Sequence, residues 1–101
     1  MMAKKYDGVI EAVHYRDGQI EEVRAFERRG SAFSDRILIP REKLLERLKD
    51  GKKFVVGQRK EFFAGTFETG KPVQVVSRGD RELISTRGDA ERDELEQAPV
   101  F

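Results

Sequence analysis

The fold is decided by residues 9–26, which read VIEAVHYRDGQIEEVRAF. Two runs rich in β-branched and aromatic residues flank the pair Asp17-Gly18 in this stretch. That pair is typical of a two-residue hairpin loop, because a type I′ turn needs positive φ at both central positions. The stretch therefore predicts a β-hairpin over residues 5–28.

An unbroken register from that turn divides the hairpin into two faces, because successive side chains of a strand point to opposite sides. The first face is compact and apolar, and we assign it to the core. Its cross-strand pairs are Ile10–Ala25, Ala12–Val23 and His14–Glu21. The second face combines large apolar groups with an ion pair and is only half suited to burial. Its cross-strand pairs are Val9–Phe26, Glu11–Arg24, Val13–Glu22 and Tyr15–Ile20.

The rest of the chain predicts one helix among short strands. Pro40 suits the first position of a helix, and Leu44, Leu45 and Leu48 give residues 40–50 a single apolar stripe. Further strands are expected on both sides of this helix, within residues 36–39, 53–59, 73–76 and 82–86.

These elements predict a mainly β fold, a β-rich α+β domain of about six strands with a short helix between strands 3 and 4. A small, strongly twisted sheet tends to close on itself, because closure removes exposed edges. We therefore expect a barrel-like sheet. The position of the helix is typical of an OB-like barrel, while an SH3-like barrel and an open α+β sheet remain alternatives.

Two parts of the chain differ in charge. Charged residues make up 39% of the 101 residues, with a net charge of +1. Residues 87–101 hold two basic and five acidic residues and show no periodicity. We expect a single β-rich domain over residues 1–86, followed by an acidic, flexible C-terminal tail over residues 87–101. The apolar end Pro99-Val100-Phe101 could dock in a groove of a neighbouring chain.

Signatures of catalysis and metal binding are weak. The chain has no cysteine, which excludes disulfides and cysteine-ligated metals, and its one histidine, His14, cannot form a multi-histidine site. Asp89, Glu91 and Asp93 have the spacing of a calcium loop, but Glu94 stands where that loop needs glycine. We expect a non-catalytic protein without metal or cofactor.

The sequence also bears on location. It contains no apolar run long enough for a membrane span, and no apolar segment of the kind found in signal peptides follows the basic start. A cysteine-free chain fits a reducing compartment. We therefore expect a cytoplasmic protein that has no membrane partner.

The second face of the hairpin is the candidate binding surface, with Tyr15, Ile20 and Phe26 beside Arg24 and Arg28. Exposed apolar area usually marks a protein contact, so we expect a protein-interaction module whose partner is another protein or a second copy. Alternatively, the aromatic rings stack on bases and the arginines contact phosphates, as in small nucleic-acid-binding barrels of low specificity. In a third interpretation, the helix or a loop covers this face and makes it a second core.

Overall fold

The computed structural model describes residues 6–30, 32–59 and 67–101. Seven strands and one helix lie in these ranges. In chain order they are β1 (Gly8–Arg16), β2 (Gln19–Arg29), β3 (Ala32–Phe33), β4 (Ile37–Pro40), α1 (Arg41–Lys49), β5 (Phe54–Arg59), β6 (Phe67–Arg78) and β7 (Arg81–Ser85). The predicted mainly β fold with one short helix is confirmed. The helix follows the fourth strand, since the two-residue β3 adds one to the expected order.

The strands form one curled sheet, a half-barrel with the order β3-β2-β1-β5-β6-β7. β4 also pairs with β2, beside the place where β3 pairs with it. The pairing of β1 with β5 is parallel, and the other strand pairs are antiparallel. The first part of β6 pairs with β5, and its second part pairs with β7. The long strand therefore links these two strands within the curled sheet.

The turn of the first hairpin is the predicted one. Asp17 and Gly18 have φ angles of 53° and 78°, as a type I′ turn requires. A second hairpin joins β6 and β7, with Arg78 paired to Arg81 across a two-residue loop. Residues 60–71, for which the sequence allows a loop or a short strand flanked by turns, lie partly outside the described residues, and from Phe67 onward they form the first part of β6.

The register of the first hairpin differs from the prediction. Two irregularities leave Glu21 unpaired on β2 and Glu11 unpaired on β1. Between them Val13 pairs with Val23, where an unbroken ladder would pair it with Glu22. A bulge of this kind inserts one residue into a strand and moves the following side chains to the opposite face. The predicted division into faces is therefore wrong for Val13, Tyr15 and Ile20, which were expected on the second face but belong to the main core or pack against it.

The main core lies on the inner face of the curled sheet, under α1. Leu44 is fully buried there, and Leu45 and Leu48 pack against it, as the leucine stripe predicted. Burial of a side chain of this size contributes about 1.5–3 kcal/mol. The other buried members of this core are Ile10, Val13, Ile20, Val23, Ala25, Ile39, Phe54, Val56, Val73, Ile84 and Leu95.

The C-terminal residues lie against the sheet, although the sequence predicted a flexible tail over residues 87–101. Asp93 is 4% exposed and Leu95 is 3% exposed. We call residues 93–95 the anchor, and residues 98–101, which lie beside β1, the arm. The acidic composition suggested a solvated segment, but one carboxylate and one leucine within it are buried.

The helix α1 has nine residues. Its first turn carries Glu42, and its last turn carries Arg47 and Lys49, which suits the helix dipole at both ends. Within residues 6–30, 32–59 and 67–101, no helix has the length and apolar character that crossing a membrane requires.

Candidate interaction surface

The structure divides the five predicted site residues between two faces of the sheet. Ile20 is buried in the main core, and the half-buried Tyr15 packs against that core. Phe26 is buried in a second, smaller cluster that also contains Val9. Arg24 and Arg28 are half-buried. The five residues therefore do not form one exposed surface, and Phe26 packs in a second cluster with Tyr6, Phe33 and Val55.

The bulge at Glu21 explains this division. An unbroken strand would place Ile20 on the same face as Arg24, because residues four apart in a strand share a face. The extra residue at Glu21 turns Ile20 inward together with Val23. Arg24 stays on the outer face of the hairpin, where it pairs with Leu38 of β4.

Three large apolar side chains are exposed in the described part of the chain, and two of them, Leu38 and Phe101, lie beside Arg24. Leu38, Val100 and Phe101 are 55%, 68% and 36% exposed. Leu38 is the β4 partner of Arg24, and the guanidinium carbon of Arg24 lies 4.9 Å from the centre of the Phe101 ring. We call Glu11, Arg24, Arg36, Leu38, Val100 and Phe101 the Arg24 patch.

A single carboxylate organises the charges of this patch. Arg24 Nε and Arg36 Nε donate to Glu11 Oε1 over 3.1 Å and 2.6 Å. The hydrogen bond to Glu11 raises the pKa of Arg36 above its ordinary value. Glu11 is also the bulged residue of β1, so the bulge brings its carboxylate to both arginines. The patch therefore mixes apolar area with charges of both signs.

Arginines cover the aromatic rings farther along the outer face. The guanidinium carbon of Arg36 lies 5.6 Å from the centre of the Phe26 ring, and that of Arg28 lies 4.6 Å from the centre of the Phe33 ring. Each distance is in the range of a cation–π contact. Tyr15 is engaged differently, since its hydroxyl oxygen accepts a hydrogen bond of 3.1 Å from the Leu95 N–H. None of these three rings stands open as a stacking platform.

Asp93 is a buried charged residue whose burial the sequence did not predict. Its carboxylate accepts hydrogen bonds from the backbone N–H groups of Ile20, over 2.7 Å, and Ile84, over 3.0 Å. Arg41 forms an ion pair with the same carboxylate and donates to the carbonyl oxygens of Ile20 and Glu82. Buried charges need partners of this kind. The group joins β2, α1, β7 and the anchor, and its role is structural.

Asp89, another acidic residue of the calcium-like spacing, has an arginine as its partner. Asp89 pairs with Arg87 over 3.2 Å, and this hydrogen bond lowers the pKa of Asp89. Among the residues that the structure describes, no group of three histidine, cysteine, aspartate or glutamate side chains is placed to hold a metal ion.

The residues at the Arg24 patch could be found from the sequence only in part. Arg24 was a predicted site residue, and the end of the chain was noted for its apolar character. Leu38 lay unremarked within a short strand. Strand pairing and the arm bring these positions together from far apart in the chain, which no local pattern reports.

Comparison of the chain with protein-family models, with curated proteins and with solved structures gave no match. The function is therefore inferred from the residues and their geometry.

Proposed function

We propose that this protein is a small, non-catalytic interaction module that associates with a second copy of itself through the Arg24 patch. The supporting observation is that the exposed Leu38 and Phe101 both lie beside Arg24, with the exposed Val100 next to Phe101 in the chain. Contiguous exposed apolar area usually marks a binding surface. Arginine and aromatic residues are enriched in protein interfaces, and both occur here.

The charges of the patch favour a second copy as the partner. A two-fold interface brings the same surface of each subunit together, so that surface must be complementary to itself. Glu11 lies between Arg24 and Arg36, and the apolar residues lie beside them. A patch that carries both signs and apolar area can meet its own copy without a concentration of like charge.

Sedimentation velocity over a concentration series tests this proposal. We expect a monomer–dimer equilibrium at protein concentrations up to about 100 μM, in the range of micromolar affinities. Leu38→Asp places a charge in the apolar part of the patch and should abolish the dimer. Gln74→Asp is the matched control, since it adds the same charge at an exposed position of β6. A monomer at every concentration, or equal loss in both variants, would refute the proposal.

Binding of nucleic acid is the second candidate function. Arg24, Arg28 and Arg36 lie on or beside the outer face, which is the observation in its favour. Glu11 opposes it, because a carboxylate between two of these arginines repels phosphate. We propose it as the alternative rather than the first choice.

Fluorescence anisotropy with labelled single-stranded and duplex oligonucleotides distinguishes the two functions. Phosphate contacts produce binding that weakens steeply with added salt. Arg24→Ala is compared with Arg81→Ala, which removes an exposed arginine of β7. Salt-dependent binding that Arg24→Ala alone weakens would put nucleic acid first. No binding at low salt would remove the alternative.

We also propose a cytoplasmic location, on the cysteine-free composition of the chain. The function proposed here includes no catalytic step.

A further inference from the structure

The sheet forks where β5 separates from β1. The two strands pair only through Gly8–Ile10 and Phe54–Val56, although β1 continues to Arg16. Beyond the fork the arm lies beside β1. A strand edge of this kind offers unpaired backbone groups to any extended segment that reaches it.

The arm is bound to this edge through the backbone of Val13. The Val13 N–H donates to the Pro99 carbonyl over 2.8 Å, and the Phe101 N–H donates to the Val13 carbonyl over 2.9 Å. Val13 and Val100 thereby form a parallel bridge. The Phe101 ring adds contacts with Arg24 and with His14, whose ring centre is 5.6 Å away. Nothing in these contacts depends on which copy of the chain supplies the arm.

The arm is exposed in the position that it occupies. Pro99, Val100 and Phe101 are all exposed, whereas the anchor a few residues earlier is buried. Intramolecular docking of the arm thus leaves two large apolar side chains, Val100 and Phe101, in water. A second copy placed at this edge would cover both.

The joint between anchor and arm is suited to opening. Gln97 has a φ of 70°, a conformation that residues other than glycine adopt infrequently. The turn contains a hydrogen bond of 3.3 Å from the Ala98 N–H to the Leu95 carbonyl. A pocket of about 220 Å³, lined in part by Gly57, Gly70 and Gln97, lies beside the joint. It leaves room for the backbone of the joint to take a different conformation. Short, strained joints of this type favour exchange of segments between copies.

We infer that the β1 edge is an acceptor site for the arm of a second copy, and that two copies exchange their arms reciprocally. This inference rests on the proposed self-association and names its structural basis. The exchanged arm keeps both backbone hydrogen bonds with Val13 and the contact with Arg24. Because the joint is short, the two copies meet at the Arg24 patch.

Disulfide trapping between two single-cysteine variants tests the exchange. The chain has no cysteine, so the introduced thiols are the only ones present. Val13→Cys is mixed with Val100→Cys that carries a size tag, and the mixture is oxidised in a glutathione buffer. Partners across a strand bridge stand at a distance that a disulfide can span. In a mixture of single variants, this disulfide can form only between copies.

We expect the heterodisulfide to be the main cross-linked product on a non-reducing gel. It should be lost when Leu38→Asp is added to both variants. Ser77→Cys, at an exposed position of β6, replaces Val100→Cys as the control and should give no such product. If Val13→Cys does not fold, His14→Cys with Phe101→Cys provides a second facing pair.

The outcomes separate the exchange from the proposed function. A dimer in sedimentation without the heterodisulfide would overturn the exchange and leave self-association standing. An intramolecular disulfide as the sole product of a chain carrying both Val13→Cys and Val100→Cys would also overturn the exchange. A monomer at every concentration would overturn both proposals.

Discussion

The anchor and the arm belong to one C-terminal segment, yet the sheet holds them in opposite ways. Asp93 of the anchor is buried and receives hydrogen bonds from two backbone N–H groups and from Arg41. Residues 99–101 of the arm are exposed and are held by two backbone hydrogen bonds with Val13 and by a hydrogen bond from His14 Nδ1 to the Phe101 carbonyl oxygen. A buried, fully bonded charge fixes the position of a segment, because its release would leave several polar groups unpaired. Backbone bonds at an open edge can be replaced by identical bonds from another chain.

The largest expected effect comes from removal of the charge in the anchor. Asp93→Ala leaves Arg41 and two backbone N–H groups without their acceptor, which should reduce the free energy of unfolding by about 3–5 kcal/mol. Urea denaturation measures this loss. Asp89→Ala is the control, since it removes an exposed carboxylate and should change stability by no more than about 0.5 kcal/mol. Similar effects in both variants would contradict the structural role of Asp93.

Truncation of apolar side chains compares anchor and arm directly. Leu95→Ala removes a buried side chain and should cost about 2–4 kcal/mol of unfolding free energy, in the range of buried leucine truncations. Phe101→Ala removes a partly exposed ring and should cost about 1 kcal/mol or less, since exposed positions contribute little. The same denaturation measurement checks both. An equal cost at the two sites would mean that the arm is as firmly held as the anchor.

Local patterns predicted the elements that depend on neighbours in sequence. Asp17-Gly18 predicted the turn, and the leucine stripe predicted which face of α1 is buried. The sequence analysis did not predict the bulges. The pair Glu21-Glu22 between Ile20 and Val23 interrupts the alternation and is a local indication of the bulge at Glu21. When two polar residues separate two core positions, the strand needs an extra residue so that both core side chains point inward.

The buried anchor and the Arg24 patch could not be predicted because they depend on contacts between distant residues. Asp93 lies in an acidic stretch, and its burial depends on Arg41, 52 positions earlier, together with the N–H groups of Ile20 and Ile84. Likewise, Leu38 and Phe101 become neighbours of Arg24 through the β2–β4 pairing and the docked arm. Composition describes residues 87–101 as acidic, but it does not report the contacts that bury Asp93 and Leu95.

A smaller effect is expected at Glu96, between the anchor and the arm. The hydrogen bond from Lys71 Nζ lowers the pKa of Glu96 below its ordinary value of 4.5, with a further contribution from Thr86. A carboxylate whose pKa is lower in the folded state stabilises that state above the unfolded pKa and loses this contribution as pH falls through the folded pKa. Thermal unfolding between neutral and acidic pH should show Glu96→Gln less stable than the parent at neutral pH. The difference should shrink below pH 4.5. A difference that does not change with pH would contradict the assignment.

The most direct test of the contrast between anchor and arm is native-state hydrogen exchange of individual amides by NMR. The amides of Ile20 and Ile84, which donate to Asp93, should exchange only through global unfolding. The amides of Val13 and Phe101, which join the arm to β1, should exchange faster, through local opening of the arm. Equal protection of the two pairs would contradict an arm that can leave the edge while the anchor stays in place.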